Sequence, residues 1–485
     1  MTAVVVGAGV GGICAAIRLA AQGHTVEVFE RNGVAGGKLA TYEREGFTFD
    51  IGPSLLTLPQ LFDDVLQLAG TRLDAELELL RLDPQFRYRF ADGSRVDIAD
   101  DPTRVAAALD ELTPGAGSAW ERFLERSGEI WSISERTFLA GPMTSPVDLA
   151  ARMRSPLDLV RIDGNRTLAA AASAAFDDPR LRQLIGRYAT YSGSSPFRAP
   201  ATLACIPFIE QHHGCWYPLG GLGALLDVLL SAAQRVGVRL HTGREVVEVC
   251  QRSGRVEGVR LADGERIAAD VVVANVDAAH LYRDLVPRPR QLRRIDRTDP
   301  STSGLIVCVA ARGTTPDLAH HNVWFSPDDR AEFAALEAGR LADDVTVYAC
   351  VSSVTDPTQA PPGDENWFLL INTPPGIGLD RTAATRWALD QLVRRGGPDL
   401  VQRAAFTHTI VPSDLAARYR ARGGSIYGTS SNGRRAAFAR PRNVSPIEGL
   451  YLVGGSSHPG GGLPMVTTSA RIVADEIGPA PRMPA

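Results

Sequence analysis

Apolar residues fill Ala3 to Val6 without interruption, give way to glycines, return at helical spacing from Ile13 to Ala21, and form a second short run from Thr25 to Phe29. That order of strand, turn, helix and strand is the opening of a parallel βαβ unit, because a helical crossover brings the second strand back in the direction of the first. Strand-like alternation reappears far downstream. It runs through Val238 to Val249, then from Gly254 to Leu261, and ends in the apolar stretch from Asp270 to Asn275, with polar hairpin turns between. Leu450 to Val453 is again a short apolar strand entering glycines, and a helical pattern follows from Val466 to Ile477. Two stretches of mixed helix and strand signals, 100–215 and 290–424, are punctuated by prolines such as Pro142, Pro156, Pro361 and Pro362.

Composition narrows the field. A chain of 485 residues that is 44% hydrophobic has the length of two or three domains. With a formal charge of -4 and a pI near 6.2 it lacks the basic excess that nucleic-acid binding draws on, so no nucleic-acid partner is expected. The six cysteines include no C-x-x-C pair, and several sit in apolar runs, as small buried hydrophobes of a reducing compartment do. The chain opens on structure rather than on a secretory leader, and no uninterrupted apolar run reaches spanning length. Lys38 is the only lysine.

Three glycine-rich motifs give the chemistry. Gly7-x-Gly9-x-x-Gly12 lies between a strand and a helix, and Glu30 closes the next strand 18 residues on. Such glycines admit a pyrophosphate at a helix N-terminus, and the carboxylate accepts from ribose hydroxyls, which reads as a dinucleotide site. Gly36-Gly37-Lys38 and Phe49-Asp50-Ile51-Gly52-Pro53-Ser54 then supply two further backbone-exposing turns and one cation. An NAD domain has no use for them. A flavin extends past its pyrophosphate and does, so FAD is the expected cofactor. The third motif, Gly454-Gly455-Ser456-Ser457-His458-Pro459-Gly460-Gly461-Gly462, precedes the last helix and lays more backbone against the ligand.

Together these motifs resemble the phytoene desaturase family, FAD-dependent carotenoid desaturases within the flavin amine oxidase superfamily. The stretch from Gly214 to Leu225 is similar to that family's G-x-W-[FY]-P-x-G-G-x-x-A-L element, and Tyr282-Arg283-Asp284-Leu285 also fits. Gly186-Arg187-Tyr188-Ala189-Thr190-Tyr191 and Gly424-Ser425-Ile426-Tyr427-Gly428 are similar to methoxyneurosporene or hydroxyneurosporene dehydrogenases, although Ser194 departs from the glycine pair of that pattern.

The resemblance implies an α/β fold: a discontinuous Rossmann-like FAD-binding domain (1–99, 216–289, 425–485) with a mixed α+β substrate domain (100–215, 290–424). FAD contacts are expected at Gly7, Gly9, Gly12, Glu30, Arg31, Gly36, Gly37, Lys38, Gly52, Pro53, Ser54, Val246, Gly454, Gly455, Pro464, Met465 and Val466. It further implies desaturation of a carotenoid or related polyene, with 3,4-desaturation of a 1-hydroxy or 1-methoxy acyclic carotenoid as its narrowest form. Quinone or dioxygen would take the electrons.

Glu210 and His458 are the candidate catalytic residues, the first as proton acceptor and the second in the loop nearest the flavin. Tyr188, Tyr191 and Trp216 are the substrate-side candidates. The pairs His212-His213 and His320-His321 have no third ligand at metal spacing in the sequence, so no metal is expected. A polyene must be drawn from a membrane, and the apolar and arginine-bearing segment from Val147 to Arg161 suits an interface, so a cytoplasmic, peripherally membrane-associated bacterial enzyme is implied. Polyene isomerases or saturases, small-amine oxidases and non-catalytic flavoproteins share the scaffold, and the sequence leaves these and the oligomeric state open.

Overall fold

The computed structural model describes residues 1–143 and 145–481. β1 (Thr2–Val6), α1 (Val10–Ala21) and β2 (Thr25–Phe29) form the anticipated βαβ opening. The helix begins three residues before its apolar periodicity does, because Gly11 and Gly12 sit inside its first turn. β1 lies at the centre of a five-stranded parallel sheet in the order 450–452, 271–274, β1, β2, 239–241. Its Val4 is flanked by Val272 on one side and Glu27 on the other.

The uninterrupted apolar run of β1 follows from burial on both faces. Ala3 and Val5 pack with α1 and with helices Leu222–Arg235 and Leu463–Ile477. Val4 and Val6 pack toward an antiparallel three-stranded sheet made by 246–252, 255–261 and 266–268. The alternating stretch around residues 238–249 is therefore two strands. A turn at Gly243 (φ +68°) sends Arg239–His241 to the parallel sheet and Val246–Arg252 to the antiparallel one.

A second, seven-stranded sheet runs in the order 404–410, 303–311, 365–373, 347–350, 321–324, 86–89, 95–98. Its neighbours are antiparallel except for the pair 321–324 and 86–89. Helix Arg381–Arg394 covers one face, and a helical layer that includes Ala116–Thr137, Pro179–Arg187 and Cys205–His213 packs near residues 86–98 around Trp120, Phe123, Leu184 and Tyr217. The molecule thus pairs a discontinuous Rossmann-like region with a mixed α+β region. Ile306, Phe368 and Leu370 of the seven-stranded sheet reach toward the open ends of the parallel strands, where both cavities described below lie. No helix among the described residues is long and apolar enough to cross a membrane.

Candidate active site

The cradle at the strand ends is built mostly of backbone. Gly7 turns the chain out of β1 at φ +98°, where L side chains are strained, and its amide donates to Phe29 O at 2.8 Å. Glu30 is buried: its Oε2 accepts from the Ala8 amide at 2.9 Å, and its Oε1 accepts from the amide and side chain of Asn32 at 2.8 and 2.7 Å. The carboxylate thereby fixes the end of β2 against the glycine turn while still facing the cavity. The N-terminus of α1 has no side-chain cap, so its first amides are left for an anion.

Asn275, at the end of the strand Val271–Ala274, explains why so many residues here are glycine. Its Nδ2 donates to Gly7 O at 3.2 Å. A Cβ would stand 2.8 Å from its Nδ2 at Gly9, 2.9 Å at Gly12, and 2.5 Å from its Oδ1 at Gly454. The side chain wedges between the N-terminal and C-terminal glycine turns, and only glycines leave it room.

An elongated cavity of about 310 Å³ runs from Glu30, Arg31 and Val246 past Gly7, Gly9, Gly36, Gly37 and Lys38 to Gly52, Pro53, Gly454, Gly455 and Val466. The buried Arg31 Nη1 has no protein partner. Lys38 Nζ donates to Ile426 O at 2.6 Å, and burial lowers its pKa to about 8 against the opposing attraction of Asp277. Arg440, also buried, donates to Tyr427 O, Thr429 O and Gly455 O at 3.1, 2.6 and 3.0 Å, clamping the loop at 427–429 to the glycine loop opposite Lys38. An uncapped helix start, a cradle built of glycines, a cavity-lining carboxylate and an unpartnered guanidinium nitrogen together fit a dinucleotide that extends beyond its pyrophosphate.

A second cavity of about 220 Å³ adjoins the first, sharing Gly52, Pro53, Leu370, Ile426, Tyr427, Gly462 and Leu463 with it. Ser54, Phe86, Arg187, Tyr191, Phe325 and Tyr348 are among its walls. Tyr348 OH lies 2.6 Å from Ser54 Oγ and 2.8 Å from His321 Nδ1, so this wall is a hydrogen-bonded chain leading inward.

The remaining sequence candidates fall in several places. Gly12 stands one layer behind the cradle, with its Cβ position 2.3 Å from Gly7 O. Pro464 lines the second cavity, whereas Met465 lines neither. Trp216 also lines neither; its Nε1 donates to His213 O at 2.8 Å beneath the Arg81 guanidinium. The glycine pair after it serves a joint: Asp50 accepts from the amides of Leu222 and Gly223 at 2.8 and 3.2 Å, and a Cβ on Gly221 would stand 3.1 Å from its carboxylate. Burial holds the Asp50 carboxyl up at about 6, the two amides opposing.

Tyr191 faces the second cavity while Tyr188 is core. Glu210 sits behind Tyr191 and accepts its hydroxyl proton, with its other oxygen unpartnered. Burial pushes the Glu210 carboxyl up, and Arg187, Tyr191 and Tyr188 oppose the rise. His458 turns away from both cavities. Its ring Nε2 meets Phe138 O at 2.9 Å, and burial lowers its pKa to about 4, so it is a neutral tie between the glycine loop and the end of helix Ala116–Thr137.

Folding also brings Cys350 beside His320 and His321. The ligand atoms of the three buried residues lie within 4.8 Å of one another, an arrangement the sequence spacing does not display. Sequence reading missed Asn275, Arg440, Arg187 and the apolar wall of Ile306, Phe368 and Leu370. Only Asn275 carried a signal, as a polar residue closing an apolar strand.

A family model described as "Flavin containing amine oxidoreductase" matches residues 10–478. Among curated proteins, a 4,4'-diapolycopene oxygenase of Methylomonas sp is 35% identical over 484 residues, covering 98% of this chain and 97% of that protein. A 4,4'-diaponeurosporene oxygenase of Staphylococcus aureus (strain USA300) is 32% identical with the same coverage. Among solved structures, an oxidoreductase from Methanosarcina mazei superposes with a TM-score of 0.66 at 19% identity, covering 98% of this chain and 100% of that one. A putrescine oxidase bound to putrescine does so with 0.65 at 15%, covering 98% and 99%. At these identities the solved structures speak for the fold alone.

Proposed function

The chain belongs to the flavin containing amine oxidoreductase family, and on that premise we propose that it is an FAD-dependent oxidase of a long acyclic polyene of the carotenoid kind. The observation that carries the reading is the junction at Gly52, Pro53, Leu370, Ile426, Tyr427, Gly462 and Leu463, where a dinucleotide cradle opens into a second, aromatic-walled cavity. Bound FAD would supply a hydride acceptor at its N5 and pass the electrons to quinone or dioxygen. The protein's own task is positioning and exclusion of water. Phe86, Phe325, Phe333 and Leu370 give the second cavity an apolar lining in which an extended hydrocarbon is held.

Desaturation also releases a proton from the carbon next to the one that loses hydride. Tyr191 is the cavity-side atom of the route that takes it, and Glu210, its carboxyl raised by burial, is the acceptor behind it. Anaerobic mixing of holoenzyme with an acyclic polyene in liposomes tests the reading. Bleaching of the flavin with a red-shifted polyene two hydrogens lighter is the expected result; flavin left oxidised by every polyene would overturn it.

A second reading, insertion of oxygen at a chain end, is favoured by the relatives named as oxygenases, at 35% and 32% identity across nearly the whole chain. Product mass after turnover under labelled dioxygen separates the two, since desaturation incorporates no label.

Substrate delivery requires contact with a membrane, and the segment from Val147 to Arg161 is where we place it. Val147 and Val160 are 71% and 70% exposed, with Leu157 and Leu159 exposed beside Arg152, Arg154 and Arg161. Replacing both valines by serine would weaken sedimentation with anionic vesicles, and unchanged sedimentation would remove this segment from the interface.

A further inference from the structure

His321 and Cys350 stand directly opposite each other across the antiparallel strands 321–324 and 347–350, so their side chains share one face of the sheet. His320 precedes the strand and escapes the alternation that would send it to the other face; its ring lies 4.5 Å from that of His321, edge to face. The ligand atoms that these three buried residues offer lie within 4.8 Å of one another. Each imidazole is held at one nitrogen and unused at the other. His321 Nδ1 lies 2.8 Å from Tyr348 OH and His320 Nδ1 lies 2.8 Å from Thr355 Oγ1, whereas the Nε2 of both rings is sealed from solvent without a protein partner. A buried polar atom left in that condition costs about 1–3 kcal/mol, and here two of them stand on adjacent rings beside a thiol. Burial lowers His320 to about 3 and His321 well below the ordinary imidazole range, so both rings are neutral and each has a lone pair to give.

We propose that His320 Nε2, His321 Nε2 and Cys350 Sγ bind one monovalent copper ion in a trigonal site. The donor set selects the ion: a thiolate with two imidazoles is the kind of soft, low-coordinate set that Cu(I) takes. Charge points the same way, because Cu(I) and one thiolate leave no net charge in an apolar interior, whereas Zn(II) leaves a positive charge and takes a fourth ligand. Binding displaces the Cys350 thiol proton to solvent, and no electron moves. Metal–ligand bonds of about 2.0–2.3 Å hold trigonal ligands roughly 3.5–3.7 Å apart, so the three side chains close on the ion by about 1 Å. Phe86, stacked on His321 at 4.9 Å, and Tyr348 both wall the second cavity, which is the route by which the ion arrives. With Nε2 on the metal, His321 Nδ1 carries the ring proton and donates it to Tyr348 OH, which leaves the tyrosine proton for Ser54 Oγ, 2.6 Å away. The ion thereby orients one wall of the second cavity from behind, and the site stands independently of what that cavity binds.

The test adds Cu(I), without oxygen, to flavin-loaded enzyme. One equivalent per chain is expected to survive dialysis against a Cu(I) chelator, and X-ray absorption at the copper edge is expected to show one sulfur and two imidazole nitrogens. Cys350→Ser is expected to lose this copper. Thr355→Val, which removes only the hydroxyl behind His320, is expected to weaken its binding roughly 10- to 100-fold, with flavin content and melting temperature reporting the fold of each variant.

Copper that wild type fails to retain, that stays bound to Cys350→Ser, or that shows no imidazole ligation would overturn the proposal. Should Cys350→Ser fail to fold, the wild-type absorption spectrum and Thr355→Val decide, and unchanged copper affinity in Thr355→Val would count against the site. Retention of zinc in preference to copper from an equimolar mixture would overturn the choice of ion.

Discussion

The two cavities meet, yet they are made of different material. The cofactor cradle is backbone: Gly7, Gly9, Gly36, Gly37, Gly454 and Gly455 line it because a side chain at those positions would collide with Asn275 or with the facing turn, or would strain the turn itself. The second cavity is side chain: Phe86, Arg187, Tyr191, Tyr348 and Leu370 reach it from strands and helices whose backbones are occupied with their own hydrogen bonds, and Phe325 from the residue after strand 321–324. Backbone surfaces can be built from few residue types, so they leave motifs. Side-chain surfaces can be built from many, so they leave almost none.

The comparison breaks most readily in the cradle. Gly12→Ala puts a Cβ 2.3 Å from Gly7 O and 2.9 Å from Asn275 Nδ2, so the turn must move before any ligand binds. The expected outcome is protein purified without flavin, read from the visible spectrum; a fully flavinated variant would show that the cradle tolerates side chains after all.

Next in size is Glu210→Gln, which leaves the cradle intact. Turnover is expected to fall roughly 10²–10⁴-fold with flavin retained. The carboxyl is raised by burial, so in wild type activity is lost as pH falls through a value above the ordinary glutamate range, where the acceptor becomes protonated. That acidic limb should vanish in the variant. A pH profile of kcat/KM checks both.

A smaller effect is expected at Lys38, the one cation of the cradle whose side chain comes from a motif. Its pKa of about 8 means the ligand-free site loses the charge as pH rises past that point. FAD affinity should therefore weaken above pH 8 by up to about tenfold per pH unit, the limit for one linked proton. Equilibrium flavin titrations should give this slope in wild type and a flat line in Lys38→Met.

Legibility in the sequence follows the same division. The βαβ opening, the return of the chain at Asp270 to Asn275 and the last strand and helix were readable because apolar period and glycine spacing coincide there. Residues 238–249 read as one alternating stretch but divide between two sheets, since alternation is silent about which sheet a residue joins, and Gly243 marks the break. Arg187 lay in plain view inside Gly186-Arg187-Tyr188, but nothing local separates a guanidinium aimed into a cavity from one on a helix surface. Trp216 stood in the strongest internal motif and turned out to belong to a joint, because a cap such as that of Asp50 on Leu222 and Gly223 constrains sequence as tightly as a ligand does.

His458 tests where the division runs within a single loop. Its neighbours Gly454, Gly455, Gly461 and Gly462 line the cradle while its own ring faces Phe138 O. Its role is then structural, and its signature is in stability. The folded imidazole, with a pKa lowered by burial to about 4 from an ordinary 6.5, stays neutral where the unfolded chain's imidazole takes up a proton. Between those values the unfolded state binds more protons, so stability rises with pH across that window and is lost as pH falls through it, by about 3 kcal/mol in total. His458→Leu should lower the melting temperature at pH 7 by leaving the Phe138 carbonyl without this donor, at a cost of about 1–3 kcal/mol. It should also flatten the dependence between pH 4 and 6.5. Thermal melts of the two holoproteins at several pH values read both effects. A variant that keeps the wild-type melting curve and loses turnover more than a hundredfold would move His458 across the division, from the joint into the chemistry.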